Sequence, residues 1–260
     1  MSETIRSAEI IHGLSNQGEV VDYKTHDLWP NTIDEAYEVQ KHLEQLRDEP
    51  VIGWKIAATA IAGRKHINVD RPLAGRLFQT ACHSDAVSLS MAHNRMAVAE
   101  AEFVFTLGSD LAPKQQPYTT DEVAACIGAL HPGLEFPDSR FADFTIPGTT
   151  GLIADNACAW QFVLGEASAQ AFDPYELASH QAVLYVNDVE VTRGVGSDAL
   201  DGPLNALVWI ANTLSELGVG LKAGQFVTTG VIGQPFPIKA GDHVRVDLGV
   251  HGSVCATLTV

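Results

Sequence analysis

The chain has 260 residues, enough for one large domain or two average ones. A hydrophobic fraction of 46% with 18% charged residues belongs to a folded globular protein and excludes disorder. With 32 acidic side chains against 16 Lys and Arg, the net charge of -16 speaks against nucleic acid and anionic membranes as partners. It leaves room for a small anionic substrate wherever a local cation inverts the field.

The N-terminal stretch MSETIRSAEIIHGLS has charges and a helical period but no apolar leader run, and a short helix is predicted over residues 3–15. A stronger helix is predicted over 33–47. Thr32 and Glu35 form a capping box at its start, and Ala36, Val39, Leu43 and Leu46 form its apolar stripe. From Pro50 the pattern changes to short β-like runs broken by Gly and Pro: VIGWKIAAT, AGRLF and AVAEAEFVFTLG. A second capping box, Thr119 with Glu122, opens a helix predicted over 120–130, before Pro132. QAVLYVNDVEVTRG reads as a hairpin turning at Asn187-Asp188. PLNALVWIANTLSELG reads as a helix with Pro203 in its first turn and Gly218 at its end. The tail after it reads as strand and turn only. Strands outnumber helices and do not alternate with them, which argues against a doubly wound sheet or a β/α barrel. The expected fold is α+β and β-rich: a helical N-terminal portion, residues 1–70, packed on a β core, 71–260, as one structural unit.

The four cysteines are widely spaced and form no C-x-x-C pair, so neither a zinc framework nor a disulfide framework is expected. No apolar run is long enough to span a membrane. The expectation is a reduced, soluble, cytoplasmic protein.

The segment Val98-Ala-Glu100-Ala-Glu102-Phe-Val104 carries the chemistry. Residues two apart on a strand share a face, so Glu100 and Glu102 are neighbours. A lone pair of this kind is usually a solvated face. Here the Glu face continues as Val98 and Val104, and the opposite face is Ala99, Ala101, Phe103, Phe105 and Leu107. A strand apolar on both sides is buried, and two adjacent buried carboxylates need protons or a cation. Oxygen ligands suit Mg²⁺ or Mn²⁺ better than Zn²⁺. Glu135, between Leu134 and Phe136 in HPGLEFPDSR, is a plausible third carboxylate, while Asp138 and Arg140 read as a local ion pair. Lys55 in GWKIAAT either snorkels to the surface or holds a substrate carboxylate or enolate, with nothing to separate the two.

These residues resemble the 2-keto-4-pentenoate hydratase and 4-oxalocrotonate decarboxylase group of the fumarylacetoacetase superfamily. TIDEAYEVQ, GWKIAAT, NVDRPLAGRLF, AEAEFVFTLGSDL, LEFPDSRF, IADNACAWQFVLG, PLNALVWIANTL and LKAGQFVTTG carry the likeness through nearly the whole chain. The resemblance implies the mixed β-sandwich roll of that superfamily's C-terminal domain and a metal-dependent enzyme acting on a 2-oxo or 2-hydroxydienoate acid. It implies Glu100, Glu102 and Glu135 as ligands of Mg²⁺ or Mn²⁺, with Lys55 and Asp70 as catalytic residues. It places Arg76, Asp155, Asn156, Thr229 and Gly230 at the substrate. It also implies a homo-oligomer, with a related family subunit as a conceivable partner. The chain departs from the group where Gly-Leu-Thr-Ser usually follows the lysine, where Cys158 and Ala159 replace hydroxyl residues, and where Val231 ends a Thr-Gly-Ser pattern.

A 2-oxo acid chelates a divalent ion through its carboxylate and 2-oxygen, and the ion stabilises the enolate. Addition of water to the vinyl end gives a hydratase, the favoured reading. Loss of CO₂ through the same electron sink gives a decarboxylase. A C–C bond hydrolase of acylpyruvate-like substrates needs a base, for which His26, His66, His83 and His131 are candidates and His66 is nearest Lys55 in sequence.

Overall fold

A computed structural model describes residues 2–260. The N-terminal residues form α1 (Glu3–Gln17), whose Ser2 side chain accepts the Ile5 N–H, and α2 (Ile33–Arg47), which starts at the expected Thr32–Glu35 capping box. Then come β1 (Val51–Ala57), a short exposed α3 (Ile61–His66), β2 (Leu73–Phe78), β3 (Cys82–Ser84), β4 (Val87–Ser90) and β5 (Val98–Leu107). After α4 (Thr120–Ala124) follow β6 (Ile127–Phe136), α5 (Gly148–Ala154), β7 (Gln161–Leu164), β8 (Gln181–Val186) and β9 (Val189–Val195). The chain ends with α6 (Pro203–Glu216), β10 (Phe226–Pro237), β11 (His243–Asp247) and β12 (Ser253–Thr259). Among the described residues no helix is long and apolar enough to cross a membrane.

The strands build two sheets, of seven in the order β2-β1-β10-β5-β6-β7-β3 and of five in the order β4-β12-β11-β8-β9. Phe103 and Phe105 of β5, both fully buried, belong with Leu184, Val244, Val246, Val254 and Ala256 to the core between them. The seven-stranded sheet curls, because Leu77 from one end and Phe162 near the other meet Val104 and Phe226 in a second, small apolar cluster. The Glu face of β5 shares this concave side. Gly133 keeps it open, since a methyl group there would stand 2.5 Å from Val104 Cγ2 and 2.6 Å from Phe162 Cζ.

Two expectations change. The capping box at Thr119 opens only one turn of helix, and β6 starts at Ile127. Pairing with β5 wins over local helix propensity, and it is closest at Gly128, where a methyl would stand 2.9 Å from Gly108 N. The helical N-terminal portion ends before Val51 rather than at residue 70, because β1 is an inner strand, parallel to β10 and antiparallel to β2. The hairpin turns where expected, with Asn187 and Asp188 both left-handed (φ 53° and 64°).

Candidate metal centre

The β5–β6 register sets Glu100 directly opposite Glu135, with Glu102 two residues further along the same face. One oxygen from each of the three carboxylates lies within 4.8 Å of the others. Glu102 and Glu135 are 0% and 1% exposed, and Glu100 is partly buried. A register shift in β10 between Thr228 and Val231 frees the Gly230 N–H, which donates to Glu102 Oε2 at 2.7 Å. Glu102 Oε1 and Glu135 Oε2 meet no hydrogen-bond partner. Burial, then the charge of Glu135, raises Glu100 to about 7 and Glu102 well above the carboxylate range. Three crowded carboxylates with free buried oxygens fit a divalent cation of the Mg²⁺, Mn²⁺ or Ca²⁺ class.

Lys55 reaches this cluster from β1. It is 2% exposed, so it does not snorkel, and its ammonium forms an ion pair with Glu135 Oε1. Burial works against its charge, but its neighbours, Glu135 and Glu100 foremost, pull the other way and the net shift is upward. Asp70 is not its partner. The Asp70 carboxylate is exposed, 3.2 Å from Arg71, and accepts Thr149 Oγ1 at 2.7 Å. Glu135 holds the ammonium instead.

The other expected residues divide. Gly230 orients Glu102, as above. Thr229 is fully buried and spends its hydroxyl on Phe103 O at 2.9 Å. Asn156 clasps the backbone of Arg76, accepting its N–H at 2.7 Å and donating to its carbonyl at 2.8 Å. That contact lays Asn156 across β2 beside Lys55, where only glycine fits, since a methyl on Gly75 would stand 2.4 Å from Asn156 O. Asn156, Ala157 and Cys158 are all left-handed, with φ of 54°, 53° and 59°, a strained run of the kind found at functional sites. The Cys158 thiol is pushed up to about 12 by burial and then by Asp155, so it is a neutral group and not a nucleophile.

The Arg76 side chain leaves the site. It lies opposite Trp54 on the α2 side of the sheet, 4.8 Å over that ring, with Nε on Glu44 at 2.9 Å and Nη1 on Gln40 at 2.7 Å. Asp155 is fully buried and pairs with Arg140, while accepting Ser139 Oγ at 2.7 Å. The expected Asp138–Arg140 pair is therefore absent. Asp138 accepts the N–H groups of Arg95 and Met96 at 2.9 and 3.0 Å. The pairing differs because Asp155, without Arg140, would be a buried charge.

Two residues escape sequence reasoning. Thr59 is buried, its hydroxyl meets no partner, and it lies against Gly230. Gln40, buried under α2, donates to Ala74 O at 2.8 Å and Ile153 O at 2.7 Å. No histidine pairs with a carboxylate among the described residues. His131 is held between Thr106 Oγ1 and Gly165 O, both at 2.9 Å, and His66 is an exposed ring edge-on to Phe144.

Residues 27–259 match the fumarylacetoacetate (FAA) hydrolase C-terminal family. The chain belongs to that family. It is 33% identical over 234 residues to the 2-keto-4-pentenoate hydratase of Paraburkholderia xenovorans LB400, covering 88% of this chain and 85% of that protein. It is 34% identical over 229 residues to the 2-hydroxyhexa-2,4-dienoate hydratase of Comamonas testosteroni, covering 85% and 83%. The 4-oxalocrotonate decarboxylase of Pseudomonas putida G7, solved with magnesium and adipate, superposes with a TM-score of 0.86 at 27% identity, covering 98% and 97%. The family membership accords with a roll whose concave face carries the carboxylates.

Proposed function

We propose that this member of the family is a divalent-metal-dependent hydratase that adds water to a 2-hydroxy-2,4-dienoic acid. The observation that carries the reading is the cluster of Glu100, Glu102 and Glu135, with free buried oxygens, beside the buried ammonium of Lys55. The three glutamates would hold the ion, which when bound supplies a Lewis acid for the 2-oxo acid end of the substrate. The Gly230 N–H fixes Glu102 in its ligating rotamer. Lys55 keeps its proton and its charge at Nζ, set to receive the substrate carboxylate and to steady negative charge that develops on the enolate. The clasp of Asn156 on Arg76 holds the turn carrying Cys158 beside Lys55, where the thiol offers only a weak donor. In this reading Asp70 and the Arg76 side chain take no part, because their partners are Arg71 and Thr149, and Glu44 and Gln40.

A decarboxylase is the second reading. The whole-chain superposition on the G7 decarboxylase favours it, because CO₂ loss uses the same electron sink. The C–C hydrolase has no His–carboxylate pair among the described residues to supply its base. A panel of dienoate and oxo-diacid substrates, with and without Mg²⁺ or Mn²⁺, distinguishes the three by water addition, CO₂ release and acid cleavage. Metal-dependent water addition is expected. CO₂ release in its place would establish the second reading, and turnover indifferent to metal would overturn both.

The four free cysteines fit a reduced, cytoplasmic setting. A homo-oligomer, with a related subunit as a further partner, is carried over from the resemblance to the hydratase and decarboxylase group.

A further inference from the structure

Buried polar atoms without partners call for an explanation, and an unfilled ligand position is one. Among the residues that carry such atoms, Glu135, Glu102, Thr59 and Arg64 are joined through a chain of contacts. Glu102 and Glu135 belong to the carboxylate cluster. Gly230 donates to Glu102 and abuts Thr59, so that an added methyl would stand 2.4 Å from the Thr59 hydroxyl. The chain then turns into α3, which brings Arg64 Nη2 back to within 3.5 Å of Thr59 O.

Six of the 16 Lys and Arg residues, Arg64 among them, take part in no ion pair among the described residues. Arg64 differs from the other five in having a buried side-chain nitrogen without a partner. Its Nε is buried with nothing to bond, and the residue as a whole is only partly exposed. A planar fork of donors is matched by a carboxylate, which it binds with two parallel hydrogen bonds. At the other end of the line, the carboxylate cluster and Lys55 take the 2-oxo acid end of the substrate. A substrate lying along this line presents its far end to Arg64.

We propose that Arg64 is the specificity-determining residue for the far end of the substrate, and that the site prefers a dienoate diacid to the corresponding monoacid. The proposal rests on the metal-dependent reading above for the near end only. Thr59 lies between the two ends, with its hydroxyl free for the substrate backbone.

Calorimetry with two unreactive probes tests it. Adipate and hexanoate share a six-carbon chain and differ in the far carboxylate. The parent is expected to bind adipate about tenfold or more tighter than hexanoate, the preference a charge-assisted pair supplies. Arg64→Met and Arg64→Gln, each checked for an unchanged melting temperature, should bring the ratio close to one. Lys65→Met, at the exposed neighbouring position, should leave the ratio as in the parent. Equal binding of the two probes by the parent, a ratio that survives both Arg64 variants, or an equal fall in Lys65→Met overturns the proposal. The titrations are run with and without Mg²⁺. A parent that binds no Mg²⁺ overturns the metal reading, while the adipate-to-hexanoate ratio still judges Arg64.

Discussion

Two carboxylates of the cluster make separable predictions. Glu100→Gln and Glu135→Gln keep size and remove charge, so Mg²⁺ affinity by calorimetry should fall at least about tenfold in each. Equal affinity in parent and variants would mean the three residues share no ion. Lys55→Met should lower turnover by about 10²–10⁴-fold, the range for a positioned charged or proton-holding group, with Mg²⁺ affinity retained. Near-normal turnover in that variant would reduce Lys55 to a counter-ion of Glu135. The pH dependence follows from Glu100, held at about 7 against an ordinary 4.5. Between those values the metal-free fold binds more protons than the unfolded chain. This contribution to metal-free stability is thus complete below about 4.5 and lost as pH rises through about 7. A divalent ion needs the deprotonated carboxylates, so the rise in melting temperature on adding Mg²⁺ should grow over the same window. Thermal scans with and without Mg²⁺ check this, and a rise that shrinks with pH would contradict it.

At the scale of elements, the site depends on close approaches that side chains would block. Gly230 combines a positive φ of 99° with the contact to Thr59, so Gly230→Ala should cost about 1–3 kcal/mol. It should also weaken Mg²⁺ binding, because the N–H that holds Glu102 moves. Denaturant melts and calorimetry on the same sample read both effects, and an unchanged Mg²⁺ affinity would detach Gly230 from the centre. Gln40 ties α2 to β2 and α5 on the other side of the sheet. Gln40→Leu leaves two carbonyls and Arg76 Nη1 short of partners, at about 1–3 kcal/mol for each buried group. Its denaturation midpoint should drop while Mg²⁺ affinity stays at the parent value.

For the whole molecule, light scattering at micromolar concentration should show a homo-oligomer that covers some of the exposed Ile61, Val189 and Val250. A stable monomer would count against it. What the chain alone determined is what local periodicity determines. The Thr32–Glu35 capping box placed α2, period-two alternation placed Glu100 and Glu102 on one face, and Asn187-Asp188 placed a hairpin. Other features depended on residues distant in sequence. Lys55 joined Glu135, not Asp70, because strand order brings β1 to the curled sheet's concave side. Arg140 joined Asp155, not Asp138, because both carboxylates are buried and Asp138 already has the N–H groups of Arg95 and Met96 to offset its charge. Arg76 faced α2 because one residue of register separates it from Gly75, the residue opposite Lys55. Residues 127–130 extended into β6 because they pair along β5 from Leu107 to Phe105. Spacing in sequence reports neighbours along one element, whereas register and sheet curvature decide which elements share a site.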